Sequence, residues 1–212
     1  MSGPEELAAL IQRVEGKIPR LTPEQIAAEA EADRDRVEAG VQRWLAEAGV
    51  PKRFLGASLD VGRPTMALRR ITEALGGEIQ AGRCLILAGP TGTGKTYAAS
   101  AALRAFGRGH FWPWPAAAGA LLDPARRGEA LTQMKTTGLL VLDDLGAEFQ
   151  KEGGLVQAFL DEIIDHRYGN ELATAITSNL TADDLKTHLS ARIVDRLREW
   201  GTVFECPGES LR

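Results

Sequence analysis

Residues 89–96 read GPTGTGKT, which is the spacing G-x-x-x-x-G-K-[ST]. The segment follows an apolar run, residues 84–88, that is typical of a buried strand, and it opens a segment typical of a helix. Glycines in such a turn let successive backbone N–H groups point at phosphate oxygens, and the helix N-terminus adds positive potential. Lys95 is expected to reach the β- and γ-phosphates, and the Thr96 hydroxyl is expected to ligate Mg²⁺. The pattern therefore predicts a nucleotide site.

A second motif, LLVLDDLG at residues 139–146, is an apolar strand that ends in acidic residues. Carboxylates at the carboxyl end of a parallel strand lie beside a ligand bound at that edge. Asp143 is predicted to hold Mg²⁺ through its water shell. Asp144 is the candidate base for the attacking water, and its alternative role is to cap the following segment. Asn179, after the strand ITSN, is expected to reach the γ-phosphate or that water, although Asn is also a common turn residue.

Hydrophobic patterning predicts the elements that position these motifs. From residue 84 onward, near-continuous apolar strands alternate with helices, which is typical of a parallel sheet covered on both faces. Residues 182–201 are predicted to be helical throughout. Two amphipathic helices precede this region, at residues 4–16 and 22–48, and Thr22 with Gln25 forms a capping box for the second.

The apolar stripe of the second helix has two interpretations. It either packs on the protein's own core or docks a partner. The stripe consists of Ile26, Ala30, Val37, Val41, Trp44, Leu45 and Ala48.

Composition narrows the class of protein. The 212 residues carry a net charge of −4, all of it in residues 1–50, where ten acidic residues face six basic ones. No global positive field therefore indicates nucleic acid. Cys84 and Cys206 lie in separate apolar runs, and we expect two buried thiols rather than a disulfide or a zinc site. No targeting or membrane-spanning segment is evident, so a cytoplasmic protein is expected.

The assembled motifs resemble the AAA+ ATPases, and more narrowly the DnaC/DnaI-type helicase loaders, whose ATPase domain is shared with IstB-type transposition helpers. The resemblance rests on PKRFLGASLD, GPTGTGKTYAA, LLVLDDLGAE, FLDEIIDHRY, ITSNL, ARIVDRLREWG and GESLR. It implies an α/β AAA+ P-loop NTPase core at residues 51–212, with a parallel sheet flanked by helices and no C-terminal lid domain. Residues 1–50 would form a short helical arm that binds a partner.

The same resemblance implies further site residues. The nucleotide ATP, with Mg²⁺, would contact the whole stretch Gly89, Pro90, Thr91, Gly92, Thr93, Gly94, Lys95, Thr96 and Tyr97. Arg196 matches the position of an arginine finger that enters a neighbouring subunit's ATP site, and Arg192 is the second candidate. Arg212, the last residue, matches a sensor arginine facing the γ-phosphate. Without the resemblance, Arg196 would be read as half of a surface salt bridge with Asp195 or Glu199.

The function implied is that of a loader that binds a replicative DnaB-type helicase through its arm and helps to place it on single-stranded DNA. A finger supplied in trans requires self-assembly into a head-to-tail spiral or ring. The alternatives are an IstB-type transposase helper and a weakly hydrolysing, nucleotide-gated adaptor; a small-molecule kinase fits less well.

Candidate DNA contacts are less specific than the ATPase motifs. Arg126, Arg127 and Lys135 are basic residues on a segment that could meet the backbone of single-stranded DNA. In HFWPW, which could stack on bases, Phe111 and Trp112 lie on an expected core strand, and Trp114 between two prolines is the candidate for an exposed aromatic.

Overall fold

The structure is a computed structural model, and it describes three stretches of the chain: residues 22–61, 64–146 and 153–208. The predicted helix at residues 4–16 and the predicted sensor Arg212 lie outside the described residues. The chain divides into two compact units, residues 1–41 and residues 42–212. A boundary at residue 50 between an arm and an ATPase domain stays a prediction.

Helices and strands alternate along most of the described chain. The helices are α1 (Pro23–Glu47), α2 (Met66–Leu75), α3 (Lys95–Phe106), α4 (Trp114–Leu122), α5 (Arg127–Thr136), α6 (Gly153–Gly169), α7 (Ala182–His188) and α8 (Ala191–Trp200). The strands are β1 (Cys84–Ala88), β2 (Gly109–Pro113), β3 (Leu139–Asp143), β4 (Thr174–Ser178) and β5 (Gly201–Glu205). A short 3-10 turn, Lys52–Phe54, lies between α1 and α2.

The five strands form one sheet in the order β2-β3-β4-β1-β5. Every strand pair is parallel, so the predicted parallel sheet is confirmed. β1, β3 and β4 are buried along their whole length, which explains their lack of polar alternation. Because β4 lies between β1 and β3, the loops after these three strands meet at one edge of the sheet.

Side-chain caps set several helix boundaries. The capping box predicted for α1 is confirmed, since Thr22 Oγ1 accepts from the Gln25 N–H and Gln25 Oε1 accepts from the Thr22 N–H. The prediction of one helical stretch over residues 182–201 was wrong at its middle. Leu189 is extended, and the Ser190 hydroxyl accepts from the Ile193 N–H, so a new helix begins there.

The apolar stripe of α1 differs along its length. Leu45 and Ala48, in the unit of residues 42–212, are 0% and 4% exposed, so this end of the stripe is core. In the other unit, Ile26 and Val37 are 56% and 67% exposed. Packing on the protein's own core is therefore observed at the C-terminal end of the stripe, and docking of a partner by its N-terminal part stays a prediction.

A buried arginine bonds to the starts of two strands, at the end of the sheet opposite to the motif loops. Arg167 on α6 is fully buried, and its guanidinium donates to Thr174 Oγ1 on β4 and to the carbonyls of Thr137 and Gly138 before β3. It also donates to backbone carbonyls at the end of α5 and just before β4. Burial lowers the pKa of Arg167 to about 9. The donors of Arg167 thus meet backbone carbonyls at the end of a helix and at the starts of two strands, and one of these carbonyls, that of Ala173, also accepts from the Leu140 N–H.

The prediction that Trp114 is exposed was wrong. It is 0% exposed, because the chain turns at Pro113 and Trp114 begins α4 facing the core. Phe111 is a core residue as predicted. Cys84 and Cys206 are both free thiols and both buried, again as predicted. Among the described helices, none combines the length and the apolar character needed to cross a membrane.

Candidate nucleotide-binding site

The register of the sheet brings the three motifs together. Leu142 pairs with Ile176, and Ala88 pairs with Ser178. The residues that follow these pairs, including Asp143 after Leu142, therefore lie side by side at the carboxyl edge. The Gly89 N–H donates to the Leu180 carbonyl at 3.0 Å, which ties the glycine-rich loop to the segment after β4.

The lysine of the loop is held by the loop itself. Lys95 Nζ donates to the carbonyls of Gly89 and Pro90 at 2.7 Å each, and it lies 3.4 Å from Thr93 Oγ1. Burial lowers the pKa of Lys95, because the charged ammonium is taken out of water. All of the oxygens that accept these hydrogen bonds are neutral. An anionic phosphate would provide the charged acceptor that this buried ammonium lacks. The loop therefore fits a phosphate.

Backbone geometry in the loop requires glycine. Gly89, Gly92 and Gly94 all have positive φ angles, of 135°, 85° and 85°. At Gly89 a Cβ would come within 2.8 Å of the Cys206 carbonyl oxygen, so the chain that leaves β5 passes directly against the loop. This contact was not predicted, because it joins residues that are far apart in the sequence.

Two oxygen-bearing side chains fit a hard divalent cation. Thr96 Oγ1 lies 3.3 Å from Asp143 Oδ2, and both residues line the same cleft. Burial raises the pKa of Asp143, while hydrogen bonds from Thr177 and Thr96 act in the opposite direction. Within the described residues no cluster of three or more His, Cys, Asp or Glu could hold a metal alone. The Thr96 hydroxyl and the Asp143 carboxylate suit Mg²⁺, which keeps several waters and takes few protein ligands together with phosphate oxygens.

Asp144 and Asn179 face each other. Asn179 Nδ2 donates to Asp144 Oδ1. Asp144 has a φ of 62°, in the left-handed region that non-glycine residues rarely adopt, and its backbone N–H donates to Thr177 Oγ1. Strained backbone of this kind persists only where the surroundings hold it, and it is common at functional sites. The predicted base, Asp144, and Asn179, which is expected to reach the γ-phosphate or the attacking water, are thus brought together.

Two hydroxyls of the ITSN segment were not predicted to take part. Thr177 is 3% exposed and its hydroxyl donates to Asp143 Oδ1 at 2.6 Å. The Ser178 hydroxyl donates to the Leu145 carbonyl at 2.6 Å. The signal for both was present in the sequence, because they are polar residues at the end of an otherwise apolar strand.

The motifs open into a cleft of about 560 Å³, a size typical of small-molecule sites. Its far wall comes from the connector between α1 and α2 and from α2 itself, with Phe54, Val61 and Leu68 as apolar lining. The Arg53 guanidinium lies 4.9 Å from the centre of the Phe54 ring. The sequence motifs gave no indication of this apolar end of the cleft.

Tyr97 joins the loop helix to the connector. Its phenol oxygen accepts a hydrogen bond from the Ser58 N–H at 3.1 Å, and its side chain lines the cleft. Thr65, the N-cap of α2, lies against Gly94, where a Cβ would come within 3.0 Å of the threonine side chain. The connector is therefore held against the phosphate loop from two points.

The two finger candidates do not line the cleft of their own chain. Arg192 and Arg196, both on α8, form ion pairs with the same carboxylate, Asp165 on α6. Arg196 also donates to the Arg192 carbonyl at 3.1 Å and lies 5.7 Å from the Tyr168 ring centre. A salt bridge does exist in cis, but its acid is Asp165 rather than the sequence neighbours that were considered.

Two of the three candidate DNA contacts are engaged within the chain. Arg127 Nε donates to the Leu121 carbonyl at 2.7 Å, and its guanidinium lies 5.2 Å from the centre of the Phe159 ring. Lys135 pairs with Glu162 at 2.8 Å. Arg126 is exposed.

Fold and site together define an α/β ATPase of the AAA+ class. The chain matches the family model of IstB-like ATP binding proteins over residues 31–212, and it therefore belongs to this family.

Similar proteins include helicase loaders. The replicative helicase loader DnaI of Bacillus subtilis (strain 168) is 29% identical over 96 residues, which cover 40% of this chain and 30% of the loader. The chain thus aligns with less than a third of that relative. A crystal structure of the DnaC helicase loader has a TM-score of 0.64 at 26% identity and covers 74% of this chain and 100% of that one. A DnaI structure has a TM-score of 0.63 at 27% identity, covering 77% and 95%.

A more distant structure shares the fold alone. AMPPCP-bound DnaA from Aquifex aeolicus has a TM-score of 0.60 at 24% identity, and it covers 74% of this chain and 51% of that one.

Proposed function

We propose that the chain is an ATP-dependent helicase loader. The observation that carries the proposal is the single cleft in which Lys95, the Thr96–Asp143 pair and the Asp144–Asn179 pair converge. The similarity to DnaC and DnaI structures supports the choice of a loader among ATPases of this class.

In this proposal each part of the cleft has a separate task. The loop N–H groups and Lys95 bind the phosphates, and the nucleobase occupies the apolar end beside Phe54 and Val61. Asp144 accepts a proton from the attacking water, which Asn179 helps to orient. Mg²⁺, held by Thr96 and Asp143, would supply positive charge to the β- and γ-phosphate oxygens.

Among the described residues that line the cleft, the one arginine is Arg53, at the proposed nucleobase end. None of these residues therefore offers a guanidinium to the γ-phosphate. We propose that Arg196 completes the site of a neighbouring subunit and that Arg212 acts as a sensor arginine. For Arg196 to reach outward, its ion pair with Asp165 and its bond to the Arg192 carbonyl must open. Head-to-tail assembly would supply that opening and would couple hydrolysis to assembly.

Nucleotide binding is the first part to test. Lys95→Ala should abolish binding of a fluorescent ATP analogue, measured by titration with the purified full chain. Lys186→Ala is a matched control, because Lys186 is an exposed lysine paired with Asp183 and lies outside the cleft. Unchanged affinity in Lys95→Ala would remove the phosphate site from the proposal.

The helicase partner is proposed to bind α1. The exposed Ile26 and Val37 lie on one face of this helix, eleven positions apart, which is close to three helical turns. Exposed apolar residues on one face of an acidic helix suit a partner's hydrophobic groove. The experiment mixes the full chain with the purified DnaB-type helicase of the same organism and follows the complex by size-exclusion chromatography.

The expected result is a complex with the wild-type chain and none with the double variant Ile26→Ser and Val37→Ser. The control double variant Ala28→Ser and Ala39→Ser changes the opposite, equally exposed face and should bind normally. No complex with the wild-type chain, with or without ATP, would contradict the loader proposal. Equal binding by both double variants would place the helicase elsewhere on the chain.

A transposase helper is the second candidate, and the family match over residues 31–212 is the observation that favours it. Both functions would use the same cleft. They are distinguished by the partner, because a helper should bind a transposase and DNA in the chromatography experiment while leaving the helicase unbound. Proposed contacts to single-stranded DNA would include the exposed Arg126.

A further inference from the structure

One hydroxyl connects the two acidic residues of the site. Thr177 Oγ1 accepts from the Asp144 N–H at 2.9 Å and donates to Asp143 Oδ1 at 2.6 Å. A hydroxyl has a single proton, and since the Asp144 N–H can only donate, that proton goes to Asp143. The direction of both hydrogen bonds is therefore fixed by chemistry.

This arrangement divides the oxygens of Asp143 between two tasks. Oδ1 is occupied by Thr177, on the buried side, and Oδ2 is left beside the Thr96 hydroxyl in the cleft. Without the Thr177 bond, the carboxylate could rotate about its terminal torsion, which is broad for aspartate. Oδ2 would then lose its fixed place beside Thr96.

The same hydroxyl holds the backbone of the candidate base. Asp144 is in the left-handed region at φ 62°, and its N–H is held by Thr177. This conformation turns the Asp144 carboxylate toward Asn179 Nδ2. A buried, hydrogen-bonded neighbour is the kind of support that keeps a rare backbone conformation in place.

We propose that Thr177 is the positioning residue of the site, fixing the cation-binding oxygen of Asp143 and the backbone of Asp144 with one hydroxyl. The inference rests on the proposed nucleotide site and adds to it a residue of the cleft lining that would act through Asp143 and Asp144. Partners of metal ligands in other proteins typically affect metal affinity or activity by about 10–100-fold when removed.

The test uses the full chain and three variants. Thr177→Val keeps the shape and removes the hydroxyl, and Thr177→Ser keeps the hydroxyl and removes a methyl group. Thr202→Val is the matched control, since Thr202 lies on the edge strand β5, outside the cleft, and its hydroxyl also donates to a carboxylate, that of Glu78. Urea unfolding of each variant checks that it is folded.

The first readout is the factor by which Mg²⁺ tightens binding of AMPPCP, a nucleotide that is not hydrolysed. Thr177→Val should bind AMPPCP without Mg²⁺ as the wild type does, and its Mg²⁺ factor should fall by about 10-fold or more. Thr177→Ser and Thr202→Val should keep the wild-type factor. The second readout, kcat for ATP with saturating Mg²⁺, should fall in Thr177→Val alone.

The outcomes separate the inference from the proposed function. If the wild type does not bind AMPPCP, the nucleotide site fails and the inference fails with it. If the wild type binds and responds to Mg²⁺ but Thr177→Val has the same Mg²⁺ factor and kcat, only the inference is overturned. Equal losses in Thr177→Val and Thr177→Ser would also overturn it, because packing and not the hydroxyl would then be responsible.

Discussion

At the scale of single residues, the acidic pair after β3 shows how neighbours in sequence acquire different tasks. Asp143 is buried and accepts hydrogen bonds from two threonines, whereas Asp144 is half-buried, turns through a left-handed backbone and meets Asn179. The environment of each carboxylate therefore matches the cation-binding and water-orienting roles that we propose for them.

Asp144→Asn tests the proposed base. Asparagine keeps the size of the side chain and tolerates a left-handed backbone, but it cannot accept a proton from water. We expect ATP affinity to stay within a few-fold and kcat to fall by about 10²-fold or more, measured by phosphate release under assembling conditions. Asp195→Asn, at an exposed site on α8, is the control. An unchanged kcat in Asp144→Asn would mean that Asp144 is not the base.

Cys84 should be inert in the folded protein. Burial raises its pKa to about 12, so the reactive thiolate is scarce near neutral pH. Burial also raises the pKa of Cys206. We expect slow modification of both thiols by a disulfide reagent in the native chain and rapid modification of both in urea. Fast modification of Cys84 under native conditions would contradict its placement in β1.

At the scale of elements, the motifs with local signals were predicted and the long-range contacts were not. The strand and helix limits around Gly89–Thr96 follow from hydrophobic runs and a glycine pattern that a short window contains. The contacts of the buried Arg167, of Asp165 with its two arginines, and of Thr177 each join residues that belong to different parts of the sequence. Local patterning carries no information on which distant backbone will pass beside a side chain.

Arg167 joins α6 to the starts of two strands, and removing it should lower the stability of the fold. Arg167→Met removes the donor from the buried Met134 carbonyl and from the partly buried carbonyls of Thr137 and Gly138, and leaving a buried acceptor unpaired costs about 1–3 kcal/mol. We expect the free energy of unfolding in urea to fall by about 3 kcal/mol or more. Arg69→Met, on the exposed side of α2, should change it by less than about 0.5 kcal/mol. Similar values for both variants would contradict the role of Arg167 as a tie.

At the scale of the whole molecule, the proposal predicts that active sites form between subunits. Arg196→Ala and Lys95→Ala should each abolish hydrolysis alone, since one lacks the finger and the other lacks a phosphate site. In a mixture, the Lys95→Ala chain supplies Arg196 to the intact cleft of the other variant. We expect part of the ATPase activity to return, with a dependence on the mixing ratio.

The control for this mixture replaces Arg198, an exposed arginine on the same helix. Arg198→Ala alone should keep its ATPase activity. That result would show that removing an arginine from α8 is not by itself enough to abolish hydrolysis. The result that would contradict a finger in trans is a mixture of the two inactive variants that remains inactive at every ratio.

An ATP-dependent helicase loader should leave helicase on DNA, and this outcome can be measured. The measurement counts DnaB-type helicase hexamers that remain on circular single-stranded DNA after a salt wash, with the chain and ATP present. We expect loading with the wild-type chain, and little loading with Lys95→Ala or with the Ile26→Ser and Val37→Ser double variant. Helicase loading that is the same with the wild-type chain, with Lys95→Ala and with no added chain would contradict the loader proposal.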